Sequence, residues 1–293
     1  MQWIDSSYQL IKPEWGEDAM FENIERAGRI CYASEPKEGV TARQFTERLI
    51  KSNHLSPLEF GVCYLHYRCS KPKDSEPTDS IWDTYNILTA RYKNNKYSTF
   101  HAYEGKTFLQ IDITTNYRVL VENGWTEDLQ FMSEPTKNHS IYYTVIFTCS
   151  EGVAREFCRH RLAAHAQQST RYCNFSKDKF GNEITFINPE WFKKPGMAAP
   201  RNALKGKCAE LEYEYMNMIG RNMLPQEARE ILPLCTKTVT AMCTSFNDWN
   251  HFFELRALGS TGAPHPDAKA LAEPLMEEMT AMHSQIWEQI TMI

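Results

Sequence analysis

The stretch Glu151–Tyr172, EGVAREFCRHRLAAHAQQSTRY, concentrates the most distinctive chemistry of the chain. It sets Arg155, Arg159, Arg161 and Arg171 against Glu151 and Glu156, so four cations minus two anions leave a local balance of +2 inside a chain of net charge −5. Guanidinium groups hold phosphate oxygens through paired, charge-assisted hydrogen bonds. Arg155 and Arg159 are four apart and would share a helical face. Arg159 and Arg161 would diverge by about 200° on a helix, and so could serve two different partners. The natural reading is two anionic ligands meeting here, a nucleotide phosphate and a cofactor phosphate. The plainer alternative is a solvated helical face or a contact between subunits, and composition alone favours it.

The pattern of the stretch outweighs its charge. Arg159-His160-Arg161, seven intervening residues, then Ser169-Thr170-Arg171-Tyr172 resembles the signature of flavin-dependent thymidylate synthases. Further segments resemble that family in the same order: Ala27-Gly28-Arg29-Ile30-Cys31, His54-Leu55-Ser56-Pro57-Leu58-Glu59, Ala228-Arg229-Glu230-Ile231-Leu232-Pro233-Leu234, and Trp249 through Arg256. The resemblance runs from about residue 20 to 285. It implies one α+β catalytic domain over residues 1–293, a mixed or antiparallel sheet flanked by helices, with expanded regions at about 68–140 and 173–198.

The resemblance also implies a reaction and a set of roles. dUMP is methylated to dTMP, with 5,10-methylenetetrahydrofolate as carbon donor and NADPH-reduced FAD as hydride donor. Arg256 is the catalytic residue, facing the pyrimidine and stabilising negative charge as uracil N3 loses its proton; a fixed cation near developing charge is the right device. Glu156, Arg159, Gln168, Ser169, Thr170, Arg171, Arg229 and Arg256 form the dUMP site. Ser56, Arg159, His160, Arg161, Gln167, Asn247 and His251 contact FAD, and His54 lines the flavin and folate side. The partners implied are dUMP, folate and further copies of the chain, as a homotetramer with sites at subunit interfaces. Glu156 stands where many relatives have glutamine, and its carboxylate calls for Arg155 or Arg159 to neutralise it. Ala166 and Gln167 replace an Asn-Glu pair. Ser245 and Asn247 stand where others show Asn and Arg, so flavin phosphate binding leans more on Arg159 and Arg161.

The whole composition fits this reading without demanding it. The chain has 293 residues, 42% hydrophobic and 24% charged, as in an ordinary globular protein. An acidic balance argues against a dedicated nucleic-acid binder, and no apolar run is long enough for a membrane span. No basic start precedes an apolar stretch at the amino terminus, so a cytoplasmic protein is expected. The nine cysteines show no C-x-x-C pair, and reduced thiols are the simplest account. No metal site is expected, because Cys158-x-His160 lacks a matching second pair.

Periodicity gives the elements. Glu17–Tyr32 and Thr41–Ser52 read as helices, the second capped by Thr41. Gly61–Tyr67, Thr107–Ile113 and Tyr142–Cys149 read as strands. Lys71–Ser80, polar with two prolines, reads as a loop. Asn116–Asn123 passes for a short helix. Helices are expected over Asn202–Met223, from Pro225, over Thr236–Leu258 and over Ala268–Ile290.

Other classes fit the residues less well. Ser169 with His160 or His165 invites a hydrolase, but no G-x-S-x-G elbow is present and Gly259-Ser260-Thr261-Gly262 has the wrong spacing. No cysteine sits in a Pro-Cys-His-Gln segment. A Rossmann fingerprint is missing, and Glu104-Gly105-Lys106-Thr107 lacks the earlier glycine of a Walker loop. The rival from another class is a nucleic-acid-binding module built on the arginine cluster. A third reading is a flavoprotein acting on another pyrimidine.

Overall fold

The computed structural model describes residues 1–70 and 79–292. In chain order, β1 (Gln2–Ile4) and β2 (Ser7–Ile11) precede α1 (Glu17–Tyr32), whose acidic first turn suits the positive end of the helix dipole. α2 (Ala42–Lys51) starts from a reciprocal cap: Thr41 accepts the Gln44 N–H, and the Gln44 side chain accepts the Thr41 N–H. β3 (Val62–Ser70), α3 (Asp79–Tyr92), β4 (Thr99–Glu104) and β5 (Phe108–Asn116) follow. Asn116 then caps α4 (Tyr117–Asn123) by accepting the Val119 N–H at 3.1 Å. The same device joins β6 (Tyr142–Ser150) to α5 (Glu151–Phe157), with Ser150 accepting the Val153 N–H at 3.2 Å. β7 (Ala164–Gln167), β8 (Thr185–Ile187), α6 (Ala198–Gly220), α7 (Pro225–Ala228), β9 (Lys237–Ser245), α8 (Phe246–Phe253) and α9 (Pro266–Met292) complete the order.

Two compact units share these elements. The first comprises Met1–Ile11, Arg29–Pro36 and Thr144–Thr280. It carries a four-stranded sheet in the order β2-β6-β9-β7, whose outer pairs are antiparallel, and the parallel pair β1-β8. Its sheet and helices meet in an aromatic core: Phe147 lies 4.7 Å from Phe157 and Phe252 lies 5.2 Å from Trp249, centroid to centroid. A second buried cluster gathers Phe175, Ile184, Phe186, Cys208, Tyr215 and Ala228.

The second unit comprises Lys12–Gly28, Lys37–Tyr143 and the chain from Ala281 onward. Its antiparallel sheet β3-β5-β4 buries Leu65, Ile111 and Ile113 with Ile24, Leu58 and Leu88. A side chain at Gly61 would put its Cβ 2.5 Å from Ile24 Cδ1, so glycine is required by close approach there. Among the described residues no helix is long and apolar enough to cross a membrane.

The α+β class expected from the sequence holds, with three corrections in detail. Lys237–Ser245, read as the start of a helix, is β9. Its Thr and Val side chains are stiff at χ1 and pack well on a pleated surface, and Thr238 and Thr240 are buried there. The helix begins only at Phe246, where Ser245 accepts the Asp248 N–H. Second, α5 stops at Phe157, so Arg155 and Arg159 do not share a helical face. The chain turns there, with the His160 N–H donating to the Phe157 carbonyl at 2.9 Å. Third, Asp79 and Ser80 open α3 instead of ending a loop; the rest of the expected loop, Lys71–Thr78, lies outside the described residues.

Trp249 is fully buried between Phe147, Phe252 and Phe253. Trp249→Ala should therefore cost about 3–5 kcal/mol of stability, read as a lower denaturant midpoint. A midpoint close to the parent's would contradict this account of the core.

Candidate active site

The first unit folds the signature stretch around two clefts. The larger, of about 510 Å³, is lined by Glu151, Arg155, Gln167, Gln168, Ser169, Thr170, Arg229, Glu230, Leu232, Pro233 and Leu234. Its wall is set by backbone bonds. The Gln168 N–H donates to the Val239 carbonyl at 2.8 Å and the Ser169 N–H to the Cys31 carbonyl at 3.0 Å. The Cys173 N–H then closes on the Ser169 carbonyl at 2.9 Å, which makes Ser169–Cys173 a tight turn. Arg229, at the end of α7, donates from Nη1 to Thr170 Oγ1 at 3.1 Å across 59 residues of sequence.

Charge in this cleft is mixed. Arg155 and Arg229 supply the cations, while Glu151 and Glu230 oppose them. Gln167 Nε2 donates to Glu151 Oε2 at 3.0 Å. Burial pushes the Glu151 carboxyl above its ordinary range, against the lowering effects of Thr238, Arg155, Gln167 and Arg229. Two guanidinium groups beside the hydroxyls of Ser169 and Thr170 are suited to a phosphate-sized anion.

The smaller cleft, of about 240 Å³, is lined by Arg159, His160, Arg161, Leu162, His251, Phe252, Leu255 and Arg256. Arg159 and Arg161 are exposed, whereas His160 between them is 6% exposed and packs edge-on to Phe252 at 5.8 Å. Burial, with His251, His165 and Arg256 adding to it, lowers the His160 pKa, so the ring is neutral near pH 7. Its Nε2 is buried and has no hydrogen-bond partner among the described residues. The turn is clamped from outside: the Thr244 hydroxyl donates to the Leu162 carbonyl, and His165 Nε2 donates to the His160 carbonyl at 2.8 Å.

Arg256 sits in a single π-helical turn, Glu254–Leu258, appended to α8, a local irregularity often found at functional positions. Its Nη2 donates to the Glu156 carbonyl at 2.8 Å, and Nη1 lies 3.3 Å from Glu156 Oε2. The cation that neutralises Glu156 is therefore Arg256, not Arg155 or Arg159 as the sequence suggested.

The structure thus divides the expected residues. Gln167, Gln168, Ser169, Thr170 and Arg229 meet in the larger cleft. Arg159, His160, Arg161, His251 and Arg256 meet in the smaller one. Arg171 is exposed with its guanidinium 5.5 Å from the Tyr172 ring, and Asn247 is exposed on the first turn of α8; both lie outside the two linings. His54 and Ser56 belong to the other compact unit, Ser56 opening a short 3₁₀ turn. Sequence reasoning counted Glu151 and Arg155 only as charges, yet both line the larger cleft. It also missed Thr244, whose hydroxyl holds the arginine turn and whose only sequence signal is its place in a Thr-rich strand.

The part of the chain that holds both clefts is similar to known proteins. A model of the family described as thymidylate synthase complementing protein matches residues 124–284. Ala27–Cys31 and His54–Glu59 lie before that match. A flavin-dependent thymidylate synthase of Pyrococcus furiosus is 31% identical over 136 residues, 46% of this chain and 54% of that protein. A probable flavin-dependent thymidylate synthase of Paramecium bursaria Chlorella virus 1 is 27% identical over 166 residues, 50% of this chain and 73% of that protein. The chain spans about half the length of the archaeal relatives it matches. A UMP/dUMP methylase from Streptomyces cacaoi, solved with 5-Br dUMP, aligns over 96% of this chain and 93% of its own at 14% identity and a TM-score of 0.46.

The raised Glu151 carboxyl fixes the sign of a pH effect. Below the ordinary glutamate range, folded and unfolded chains both hold its proton and stability is unaffected. As pH rises between the ordinary and the raised value, the unfolded chain ionises first and the folded state loses stability. Glu151→Gln should therefore be more stable than the parent at pH 7, with the gain vanishing below about pH 4. Denaturant titration at both values checks this; an equal gain at each pH would contradict it.

Proposed function

We propose, from the premise that the chain belongs to the thymidylate synthase complementing protein family, that it is a flavin-dependent thymidylate synthase methylating dUMP to dTMP. The observation that carries this reading is the convergence of Ser169, Thr170 and Arg229 on one cleft, joined by the Arg229–Thr170 bond. The name of its curated relatives supports the flavin and the product.

In this reading the larger cleft takes the dUMP phosphate. Arg155 and Arg229 provide charge, Ser169 and Thr170 provide hydroxyl donors, and Gln168, pinned to Val239, keeps the turn in register. The turn also carries Arg171, which belongs to the same set. The smaller cleft fits the phosphates of FAD: two exposed guanidinium groups flank it, and the buried His160 Nε2 has a hydrogen bond still to make. His251 and Gln167 extend the flavin contacts, and Ser56, Asn247 and His54 complete the assignment from the sequence. When bound, FAD reduced by NADPH would supply the hydride and methylenetetrahydrofolate the carbon.

The protein contributes position and charge. Arg256 is assigned to stabilise the pyrimidine as N3 loses its proton. Its bonds to Glu156 orient the guanidinium before substrate arrives, and Glu156 takes part in the nucleotide site through Arg256. Following the family resemblance, we assign the complete site to the boundary between copies in a homotetramer.

The purified protein should be yellow, its flavin reducible by NADPH, and it should form dTMP from dUMP and methylenetetrahydrofolate. A colourless protein making no dTMP would sink the proposal. Arg229→Ala should weaken dUMP binding about ten- to a hundredfold, the worth of one hydrogen bond to a charged group, measured by calorimetry. Arg256→Ala should abolish product and leave flavin bound; full activity would remove that assignment.

A further inference from the structure

Two thiols outside both clefts are poised to react with each other. The nine cysteines are thiols rather than disulfides, and Cys208 Sγ and Cys235 Sγ stand 3.6 Å apart. Cys208 is fully buried on α6, while Cys235 is half-buried ahead of β9. Both are held by the cluster of Phe175, Ile184, Phe186 and Tyr215. A disulfide needs about 2.05 Å between sulfurs, so closure asks for a displacement of about 1.5 Å.

We infer that Cys208 and Cys235 form a dithiol site that closes to an intramolecular disulfide by exchange with a small-molecule disulfide, and that closure pulls on the rim of the larger cleft. Exposure makes Cys235 the entry point. The hydrogen bond between the two sulfurs holds the Cys235 thiol below the ordinary range against its burial, while the same bond and burial push Cys208 up. The Cys235 thiolate attacks one sulfur of the disulfide and expels the other half as a thiolate. That thiolate, or water, takes the proton of Cys208, whose sulfur attacks Cys235 and expels the second half. Two protein thiols are oxidised, and one disulfide is reduced to two thiols.

The location gives closure a consequence. Cys235 directly follows Leu232, Pro233 and Leu234 of the cleft rim. The segment is tied to α5, since Gly152 N–H donates to the Leu234 carbonyl at 3.1 Å and Glu151 N–H to the Thr236 carbonyl at 2.9 Å. On its other side, Ile187 N–H holds the Cys235 carbonyl at 2.9 Å. A pull on Cys235 therefore strains the bonds that anchor the start of α5. None of this depends on what the cleft binds.

The test uses the full chain equilibrated with glutathione disulfide, alkylated and mapped by peptide mass. Exposed Cys158 serves as the internal measure of reactivity. The expected result is a Cys208–Cys235 cross-linked peptide as the major oxidised form, reversed by reduced glutathione. Cys208→Ser should instead accumulate glutathione on Cys235, and Cys235→Ser should leave Cys208 unmodified. Hydrogen exchange at the Glu151 and Gly152 amides should accelerate in the bridged form. No bridge when Cys158 is fully modified, or a bridge between other cysteines, overturns the site. Unchanged exchange at both amides in the bridged chain overturns the link to the rim.

Discussion

Four residue pairs between β7 and β9 hold the site in place: Ala164 with Cys243, His165 with Met242, Ala166 with Ala241 and Gln167 with Thr240. The arginine turn enters this short ladder and the serine turn leaves it. A slip of one residue would send every side chain of β7 to the opposite face, so register is the constraint on which both clefts depend. It is reinforced at each end, by Thr244 on the Leu162 carbonyl and by Gln168 on the Val239 carbonyl. The neighbouring aromatic core fixes α5 and α8 against the same sheet.

An acidic chain gathers its arginines at the two clefts by local arrangement. Two carboxylates at or beside the clefts are themselves held: Glu151 by Gln167, Glu156 by Arg256. Such pairs limit side-chain freedom, so less ordering is needed when an anion arrives. The neutral, buried His160 separates two exposed guanidinium groups without adding a third charge. Bulk net charge says little about chemistry placed this way.

Much of this was legible in sequence where local signals are strong. Thr41 caps its helix as expected, and the short helix after Asn116 forms, whereas Ser245, also a cap, lay inside an expected helix. β9 was misread because Thr236 to Ser245 abuts a true amphipathic helix, and only tertiary burial decides between strand and helix there. The convergence of Ser169, Thr170 and Arg229 was legible through motif resemblance, although the Arg229–Thr170 bond spans 59 residues. The pairing of Glu156 with Arg256, 100 residues apart, was not; spacing alone pointed to nearer arginines. Thr244 carries no motif, and its role depends wholly on where the Leu162 carbonyl falls.

On the proposed function, the larger cleft recognises a nucleotide by its phosphate. Calorimetric titration of the full chain with dUMP and with deoxyuridine compares ligands differing only in that group. The account predicts that losing contacts to two guanidinium groups weakens deoxyuridine by at least about a hundredfold. Equal affinity for the two ligands would contradict it.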